Sequence, residues 1–181
     1  EHAYVCALCR RFEPRFDLAR SAVRYRGTMR DVLQGFKYSA DVSVADDLVG
    51  MLEACTRAHY SHIRFDALAG VPLHVRRERE RTYNQSRLLA SGLARRLRVP
   101  LATKRCVTRK RETASQTGLN ADRRRENVRG AFTAHDSDWL QGRTILLADD
   151  VMTTGATVAE CARTMKVAGA AGVYVVTVAR G

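Results

Sequence analysis

Two adjacent carboxylates near the C-terminus, Asp149 and Asp150, stand directly before a short polar turn. The turn supplies three hydroxyl groups and a glycine, at Thr153, Thr154, Thr157 and Gly155. Hydroxyls and free backbone N–H groups at a helix start favour an anion such as phosphate, and glycine lets the backbone approach it closely. Carboxylates repel phosphate, so they must face sugar hydroxyls or a hydrated Mg²⁺. The spacing therefore predicts a site for a ribose 5-phosphate.

The segments around these residues predict how they are positioned. The apolar run 145–148 is typical of a parallel strand covered on both faces, and a helical pattern follows over 156–168. Gly169 ends that helix, and a second apolar run covers 173–178, so the three segments indicate a βαβ unit. Ligands of open α/β sheets bind at the carboxyl ends of the strands. We therefore expect the acid pair and the turn at that edge of a sheet.

Three alternative roles for the motif fit its residues less well. Receiver domains of response regulators also end a strand with two aspartates, but they carry the pair near the N-terminus and lack the T-T-G-A-T turn. A purely structural turn fits poorly, because hydroxyls and carboxylates contribute little to packing. A P-loop ATPase would need G-x-x-x-x-G-K-[ST], which does not occur in the sequence.

Length and composition predict one α/β domain with a modest appendage. The chain has 181 residues, 45% of them hydrophobic, which is enough for a core. No apolar run suits a membrane span and no signal-peptide core is visible, so we expect a cytoplasmic protein without membrane insertion. The formal net charge of +12 favours polyanionic partners such as nucleic acid or a polyphosphate, with a merely soluble basic surface as the alternative.

The five cysteines divide into two kinds. Cys55, Cys106 and Cys161 are scattered and are predicted as core thiols, with Cys106 in a strand and Cys161 on a helix. Cys6 and Cys9 form a C-x-x-C pair that could supply two ligands to Zn²⁺. Since a structural zinc needs four ligands, the pair is either half of a zinc ribbon whose other half lies upstream or a remnant without metal.

The remaining elements are predicted from periodicity and breakers. The N-terminal third is expected to form a small α-rich cap. Its first 16 residues are predicted to be irregular, and a strand over 21–26 and helices over 28–38 and 44–60 are predicted to follow. The first strand of the main sheet is predicted over 65–71, followed by a basic loop over 75–81, a helix over 83–98 and strands over 101–107 and 131–134.

Two cation-rich segments in this part of the chain could contact a charged ligand. The arginines of loop 75–81 could grip a pyrophosphate, with a solvated charged turn as the alternative. A long polar loop is predicted over 108–127, and such loops within compact domains are often lids, although simple disorder would give the same composition.

The motif L-L-A-D-D-V-M-T-T-G-A-T resembles the signature with which type I phosphoribosyltransferases bind 5-phosphoribosyl 1-pyrophosphate (PRPP). Together with the segments 25–38, 71–85 and 111–132, it makes nearly the whole chain resemble the ComF family of competence-associated phosphoribosyltransferase-like proteins. The chain departs from the family pattern at Thr82, where a glycine is usual, and in its half-complete cysteine ribbon.

The resemblance implies an α/β fold of the type I phosphoribosyltransferase kind, a mainly parallel twisted sheet flanked by helices with a small N-terminal cap. Residues 1–20 would form a partial zinc-ribbon-like segment and 21–181 the phosphoribosyltransferase-like domain. Asp149 and Asp150 would hold the ribose hydroxyls or Mg²⁺, and 109–122 would be a mobile lid. The other implied PRPP-binding residues are Val151, Met152, Thr153, Thr154, Gly155, Ala156, Thr157, Leu73 and His74, and Arg76 and Arg77 would join the two acids in catalysis by gripping pyrophosphate.

Two functions are expected, the first from this resemblance and the second also from the basic residues of 76–81, 104–111 and 123–125. The first is transfer of ribose 5-phosphate from PRPP with release of pyrophosphate, in a protein with a role in natural transformation, where DNA enters the cytoplasm as a single strand. The second is a PRPP-sensing adaptor without catalysis that handles single-stranded DNA alongside competence DNA-processing proteins. Aromatic residues make up only 7% of the chain, so electrostatics would dominate its DNA binding.

Overall fold

A computed structural model describes residues 7–38, 42–103, 106–113 and 120–181. The helices are α1 (Ala7–Phe12), α2 (Thr28–Tyr38), α3 (Ala45–Tyr60), α4 (Val75–Arg81), α5 (Gln85–Leu97), α6 (Ala121–Val128), α7 (Ser137–Leu140) and α8 (Ala156–Val167). The strands are β1 (Leu18–Arg24), β2 (Ala67–Gly70), β3 (Val107–Arg109), β4 (Phe132–Ala134), β5 (Thr144–Met152) and β6 (Gly172–Arg180).

A parallel sheet with the strand order β1-β6-β5-β2 forms the centre of the fold. Strands β5 and β6 are adjacent and parallel and are joined through α8, which confirms the predicted βαβ unit. On one face of the sheet the apolar residues of α8 pack with those of the antiparallel β3–β4 ribbon. On the other face α2, α3 and α5 form the second core. The α/β fold with a mainly parallel sheet between helices is thus confirmed.

The strands end at different positions along the C-terminal edge of the sheet, and the resulting step between β2 and β5 is where the candidate site residues lie. Strand β2 ends its pairing with β5 at Gly70, opposite Ala148. Strand β5 continues beyond that point and pairs with β6 alone, with Asp149 opposite Thr177 and Met152 opposite Arg180. The predicted strand 145–148 was therefore too short, because the two aspartates lie within β5 rather than after it.

Gly70 allows the start of α5 to fill this step. A Cβ at Gly70 would lie 2.6 Å from the backbone of Arg87 and from the carbonyl carbon of Ser86, so any side chain would push the helix away. Asn84 fixes the same region, because its side chain accepts a hydrogen bond from the N–H of Arg87 and donates one to the carbonyl of Val71. The backbone contact places Ser86 beside the extended end of β5.

We expect Gly70→Ala to destabilise the fold by about 2–3 kcal/mol, because backbone atoms cannot move aside as a flexible side chain can. Urea denaturation measures the effect. Gly35→Ala is the matched control, since Gly35 lies within α2 and, apart from that helix's own backbone and its chain neighbours, no described atom lies within 4 Å of the added Cβ. Alanine there should stabilise the fold by about 0.5–1 kcal/mol. Equal stability of Gly70→Ala and the wild type would contradict the contact.

Several predicted segments take a different form. The irregular stretch 1–16 contains α1, and the strand predicted over 21–26 begins earlier, at Leu18. Since β1 belongs to the main sheet, the strand predicted over 65–71 is not its first in chain order and is shorter, 67–70. The basic loop 75–81 is helix α4, and the polar loop 108–127 contains the end of β3 and most of α6.

The region of the strand predicted over 101–107 is also different. Leu101 forms an isolated bridge with Leu68, and the described strand of this region is β3. Cys106 lies immediately before that strand rather than inside one. The helices predicted over 28–38, 44–60, 83–98 and 156–168 and the strands over 131–134 and 173–178 agree with α2, α3, α5, α8, β4 and β6 to within three residues at each end.

The three scattered cysteines are buried as predicted, and Cys161 lies on α8. Burial raises the pKa of the Cys55, Cys106 and Cys161 thiols above the ordinary value of 9.0, which keeps them protonated and unreactive. Within the described ranges, none of the helices combines the length and the apolar character that crossing a bilayer requires.

Candidate functional site

The two aspartates at the end of β5 are held by different partners. Ser86 donates its hydroxyl to Oδ1 of Asp149 at 2.6 Å, and the N–H of Asp150 reaches the same oxygen at 3.0 Å. Asp150 is only 6% exposed and accepts the N–H of Val151 at 2.6 Å on its own Oδ1. The structure thus gives each carboxylate a fixed orientation.

Lys37, at the C-terminal end of α2, is a site residue whose role the sequence did not reveal. Its Nζ lies 3.0 Å from Oδ2 of Asp150, and the two side chains are 21% and 8% exposed. Burial would lower the pKa of Lys37, but Asp150, with a smaller contribution from Asp149, outweighs burial and raises it above 10.5. The ammonium group therefore stays charged at neutral pH.

Asp149 has an unusual acidity in this setting. Desolvation, with a further contribution from the charge of Asp150, raises its pKa from 3.8 to about 7, although Ser86 and Lys37 act in the opposite direction. The side chain still keeps part of its surface open to solvent. A carboxylate that titrates near neutrality at the edge of a sheet is typical of a functional group rather than of a packing residue.

The turn after β5, where the sequence predicts a phosphate, combines a helix start with hydroxyl groups and a cation. Gly155 adopts a left-handed backbone conformation with φ 78°, directly before α8 begins at Ala156. The N–H of Ala156 donates to the hydroxyl of Thr154 at 3.4 Å. Arg124 of α6 donates to the hydroxyl of Thr153 at 2.6 Å, which brings a cation onto the turn. A helix start, hydroxyls and a guanidinium together can accommodate a phosphate dianion.

A second cationic group lies beside the end of β2. Arg77 of α4 donates to the carbonyl of Thr113 at 3.3 Å, and Arg109 of β3 donates to its hydroxyl at 2.5 Å. Burial and the nearby charge of Arg77 lower the pKa of Arg109. In the part of the chain that the structure describes, neither guanidinium has an ion pair, and the buried Nε of Arg109 has no hydrogen-bond partner. Asp149 acts on Arg109 in the opposite direction, but neither guanidinium forms an ion pair within the described residues, and two such neighbouring cations suit a polyanion.

The predicted pyrophosphate residues are brought to different places. Arg76 pairs with Glu80 at 3.2 Å and Glu112 at 3.4 Å, and its side chain is 68% exposed, so it is engaged away from Arg77. His74 caps α4, where its Nδ1 accepts the N–H of Arg76 at 3.4 Å. Leu73 lines a cavity of about 200 Å³ that Arg109 also lines. The structure therefore groups Arg77 with Arg109 rather than with Arg76.

The cysteine pair predicted as half a zinc site is only partly described. Cys6 lies outside the described residues, while Cys9 lies on α1 and is partly exposed. Among the residues that the structure covers, no cluster of three or more His, Cys, Asp or Glu side chains is placed to hold a metal ion. The middle of the predicted lid 109–122 likewise lies outside them, since 114–119 are not described.

Comparisons with known proteins place this geometry in a family. The family model of the phosphoribosyl transferase domain matches residues 84–181, which include α5, β5, the turn and α8. "DNA utilization protein YhgH" of Escherichia coli is 33% identical over 173 residues, covering 94% of this chain and 75% of that protein. "Competence protein F" of Haemophilus influenzae is 31% identical over 184 residues, covering 99% of this chain and 80% of that protein. This chain belongs to the ComF family.

This chain also aligns with parts of solved structures. A glutamine PRPP amidotransferase from B. subtilis, complexed with ADP and GMP, aligns with 75% of this ComF protein at a TM-score of 0.49 and 21% identity. The alignment covers 26% of that much longer chain.

Thr82, where the resemblance predicts glycine, has a backbone conformation that favours glycine. It follows α4 in the left-handed region with φ 67°. A residue with a side chain loses about 1–2 kcal/mol of stability in this conformation. Glycine avoids that loss, but its more flexible unfolded state offsets part of the gain. We expect Thr82→Gly to stabilise this ComF protein by up to about 1 kcal/mol, or roughly 2–4 °C in Tm.

Ser61→Gly is the matched control for that prediction. Ser61 follows α3 in the right-handed region with φ −57°, so glycine relieves no strain there and should lower Tm slightly. A lower Tm for Thr82→Gly as well would show that the hydroxyl of Thr82, which donates to the carbonyl of Arg81, outweighs the strain.

Proposed function

We propose that this ComF protein binds PRPP at the C-terminal edge of its sheet and transfers the ribose 5-phosphate to a nitrogenous acceptor, in a role connected with DNA uptake. The observation that carries the proposal is that an acidic segment near the end of β5 is followed within a few residues by a turn with hydroxyls and a cation. The acid pair lies near the end of β5, and the turn that follows the strand carries hydroxyls and contacts the guanidinium of Arg124. A sugar diol and its 5-phosphate need these two environments a few ångströms apart.

Arg77 and Arg109 supply the third part of the proposed PRPP site. Arg77 and Arg109 would take the pyrophosphate group, which carries the highest charge density of the ligand. The 5-phosphate would lie on residues 153–157, and the ribose hydroxyls would donate to Asp149 and Asp150. Each charged part of PRPP then meets a group of opposite sign, or an acceptor for its hydroxyls.

In the proposed reaction, the bond from the anomeric carbon to the pyrophosphate oxygen breaks, and pyrophosphate leaves with the electron pair. The acceptor nitrogen forms the new bond to carbon and releases its proton to solvent. Arg77 and Arg109 stabilise the charge that develops on the leaving group, and the carboxylate of Asp149 stabilises the positive charge on the sugar. Losing one such contact typically raises a barrier by about 2.7–4 kcal/mol.

In this proposal Mg²⁺ would be bound by PRPP rather than directly by the two acids of the protein. Joint ligation of an ion by both acids does not fit their described contacts, because Asp150 is paired with Lys37 and, of the two oxygens of Asp149, Oδ1 already accepts two hydrogen bonds. An ion associated with the ribose hydroxyls or the pyrophosphate would contribute additional neutralisation of the leaving group. The chain's own arginines and carboxylates therefore carry the mechanism described above.

The experiment that tests the transferase function incubates the protein with PRPP, Mg²⁺ and a panel of nucleobases and follows pyrophosphate release. Turnover that depends on one base is the expected result. Saturable PRPP binding without release with any base would overturn the transfer step and favour the sensing function. Arg79→Gln, an exposed change on the same helix as Arg77, is the control for nonspecific loss of charge.

A single-stranded DNA adaptor is the second candidate, and one surface feature favours it. Tyr38 is 73% exposed, and the guanidinium carbon of Arg81 lies 4.9 Å from its ring centre. An exposed ring beside a cation is a suitable stacking platform for an unpaired base. Proteins named for competence and DNA utilization among the relatives are consistent with such a ligand.

We expect Tyr38→Ala to weaken binding of a single-stranded oligonucleotide by about 1–3 kcal/mol, whereas Tyr38→Phe should bind like the wild type, because stacking needs only the ring. Fluorescence anisotropy at several salt concentrations measures both the loss and the salt dependence that phosphate contacts impose. Val75→Ala, which shortens another exposed apolar side chain, is the control. Absence of binding by the wild type at low salt would rule out this candidate.

A further inference from the structure

The ion pair between Lys37 and Asp150 is buried too deeply to be an ordinary surface contact. The two charged atoms lie 3.0 Å apart, and only 8% of the Asp150 side chain is exposed. Removing two charges from water is costly, so such a pair is weak evidence for stability and points to a different role. The pair lies at the acids through which PRPP binding is proposed, and that proposed function leaves the role of Lys37 open.

The backbone of Lys37 is anchored independently of its side chain. The hydroxyl of Tyr83 donates to the carbonyl of Phe36, and the side-chain amide of Gln85 donates to the carbonyl of Lys37 at 3.3 Å. Gln85 is 1% exposed and Phe36 is fully buried. The end of α2 is therefore fixed to the segment that opens α5, and Lys37 extends from a rigid base.

The same segment holds both acids. Gln85 fixes the residue that pairs with Asp150, and the next residue, Ser86, donates to Asp149. The start of α5 thus sets the position of the cation relative to the two carboxylates. Every contact in this arrangement is made between residues of the chain.

The four oxygens of Asp149 and Asp150 differ in whether they already have a partner within the protein. Oδ1 of Asp150 accepts the N–H of Val151, and its Oδ2 faces Lys37. Oδ1 of Asp149 accepts from Ser86 and from the N–H of Asp150. Among the described residues, no donor reaches Oδ2 of Asp149. When both acids are ionised, the group of three side chains carries one net negative charge and one unfilled oxygen.

We propose that Lys37 is a positioning residue of the ribose site, a resident counter-charge that keeps the acid pair receptive to sugar hydroxyls and unreceptive to a free divalent cation. One uncompensated negative charge attracts a divalent ion far less than two adjacent carboxylates do. Hydroxyl donors need only an oriented acceptor, which the ion pair supplies. The proposal rests on PRPP being the ligand, but its cation part can be tested without PRPP.

The test compares the wild type with Lys37→Met, Lys37→Arg and the double variant Lys37→Met/Asp150→Asn. Binding of Mn²⁺ to the free protein is followed by electron paramagnetic resonance, and binding of PRPP with Mg²⁺ by equilibrium dialysis. We expect Lys37→Met to gain a Mn²⁺ site at least tenfold tighter than any in the wild type and to bind PRPP at least tenfold more weakly. Lys37→Arg should resemble the wild type in both measurements, and the double variant should lose the Mn²⁺ site.

Lys37→Met with wild-type affinity for both ligands would overturn the proposal, and so would tight binding of Mn²⁺ to this site in the free wild type. That second result remains decisive even if Lys37→Met does not fold, which circular dichroism would show. Failure of the proposed function is distinguishable, because the wild type would then bind no PRPP while the gain of a Mn²⁺ site in Lys37→Met would persist. A purely structural ion pair would lower Tm in Lys37→Met without creating a Mn²⁺ site.

Discussion

Asp149→Asn is expected to weaken PRPP binding by about 10- to 100-fold while making the free protein more stable at pH 8. The loss follows because a hydrogen bond to a charged acceptor contributes about 1.5–3 kcal/mol, and asparagine lacks that charge. The gain follows because the pKa of Asp149 is raised to about 7 by desolvation and by the charge of Asp150, so ionising this group in the folded state costs free energy.

The sign of this effect depends on pH. Between about pH 4 and pH 7 the folded protein retains a proton that the unfolded chain has lost, so the free energy of unfolding falls as the pH rises through that window. Above it the cost is fully present. We therefore expect Asp149→Asn to be more stable than the wild type by about 1–2 kcal/mol at pH 8 and indistinguishable from it at pH 4.

Denaturant unfolding at the two pH values, with PRPP binding measured on the same samples, tests the prediction. Asp138→Asn is the control, since Asp138 is exposed on α7 and its replacement should change stability by less than about 0.5 kcal/mol. A loss of stability for Asp149→Asn at pH 8 would mean that the charge of Asp149 supports the fold, contrary to the effect expected from desolvation.

Replacing either Arg77 or Arg109 by glutamine should weaken PRPP binding by about 10- to 100-fold, because each removes a charge-assisted contact to pyrophosphate. The two guanidiniums converge on Thr113 and share one anion, so the double variant should lose less than the sum of the two single losses. Competition dialysis with PRPP and with ribose 5-phosphate measures the effects.

Ribose 5-phosphate provides the internal control for these two arginines. It has the sugar and the 5-phosphate but no pyrophosphate, so its affinity should be the same in the wild type and in both variants. Arg79→Gln should alter neither ligand, because its side chain is exposed on the far part of α4. Equal losses for both ligands would place Arg77 and Arg109 at the phosphate of the sugar instead, or indicate a disturbed fold.

The sequence was informative where local signals act alone. The acid pair, the T-T-G-A-T turn and the apolar runs around them lie close together in the chain, so their joint position at the sheet edge could be predicted. Helix α2 was predicted with the bounds that the structure has, because its apolar residues follow a helical period that ends near a polar stretch.

Two of the wrong predictions concern helices without an apolar stripe. Helix α4 contains no buried residue, and its charges suggested a loop. The spacing of Arg76 and Glu80, four residues apart, was the signal that could have indicated a helix. Helix α6 also lacks an apolar stripe. The signal that could have indicated it was Asn120, whose side chain caps the helix by accepting the N–H of Arg123.

The missed site residues depend on tertiary structure. Lys37 meets Asp150, and Arg124 meets Thr153, only because α2 and α6 are packed against the end of β5. Arg109 joins Arg77 through a bridge between β3 and the residue before α4, which no pattern in the sequence encodes. Nothing in the spacing of these basic residues separates them from the many other arginines of a chain with a net charge of +12.

Equilibrium dialysis of the wild-type protein against PRPP and Mg²⁺, with ribose 5-phosphate as a competitor, tests most directly whether the end of β5 and the turn before α8 form a phosphoribosyl site. We predict one saturable site for each chain, displaced by ribose 5-phosphate and weakened in Asp149→Asn. Absence of saturable binding, or binding that Asp149→Asn leaves unchanged, would contradict it.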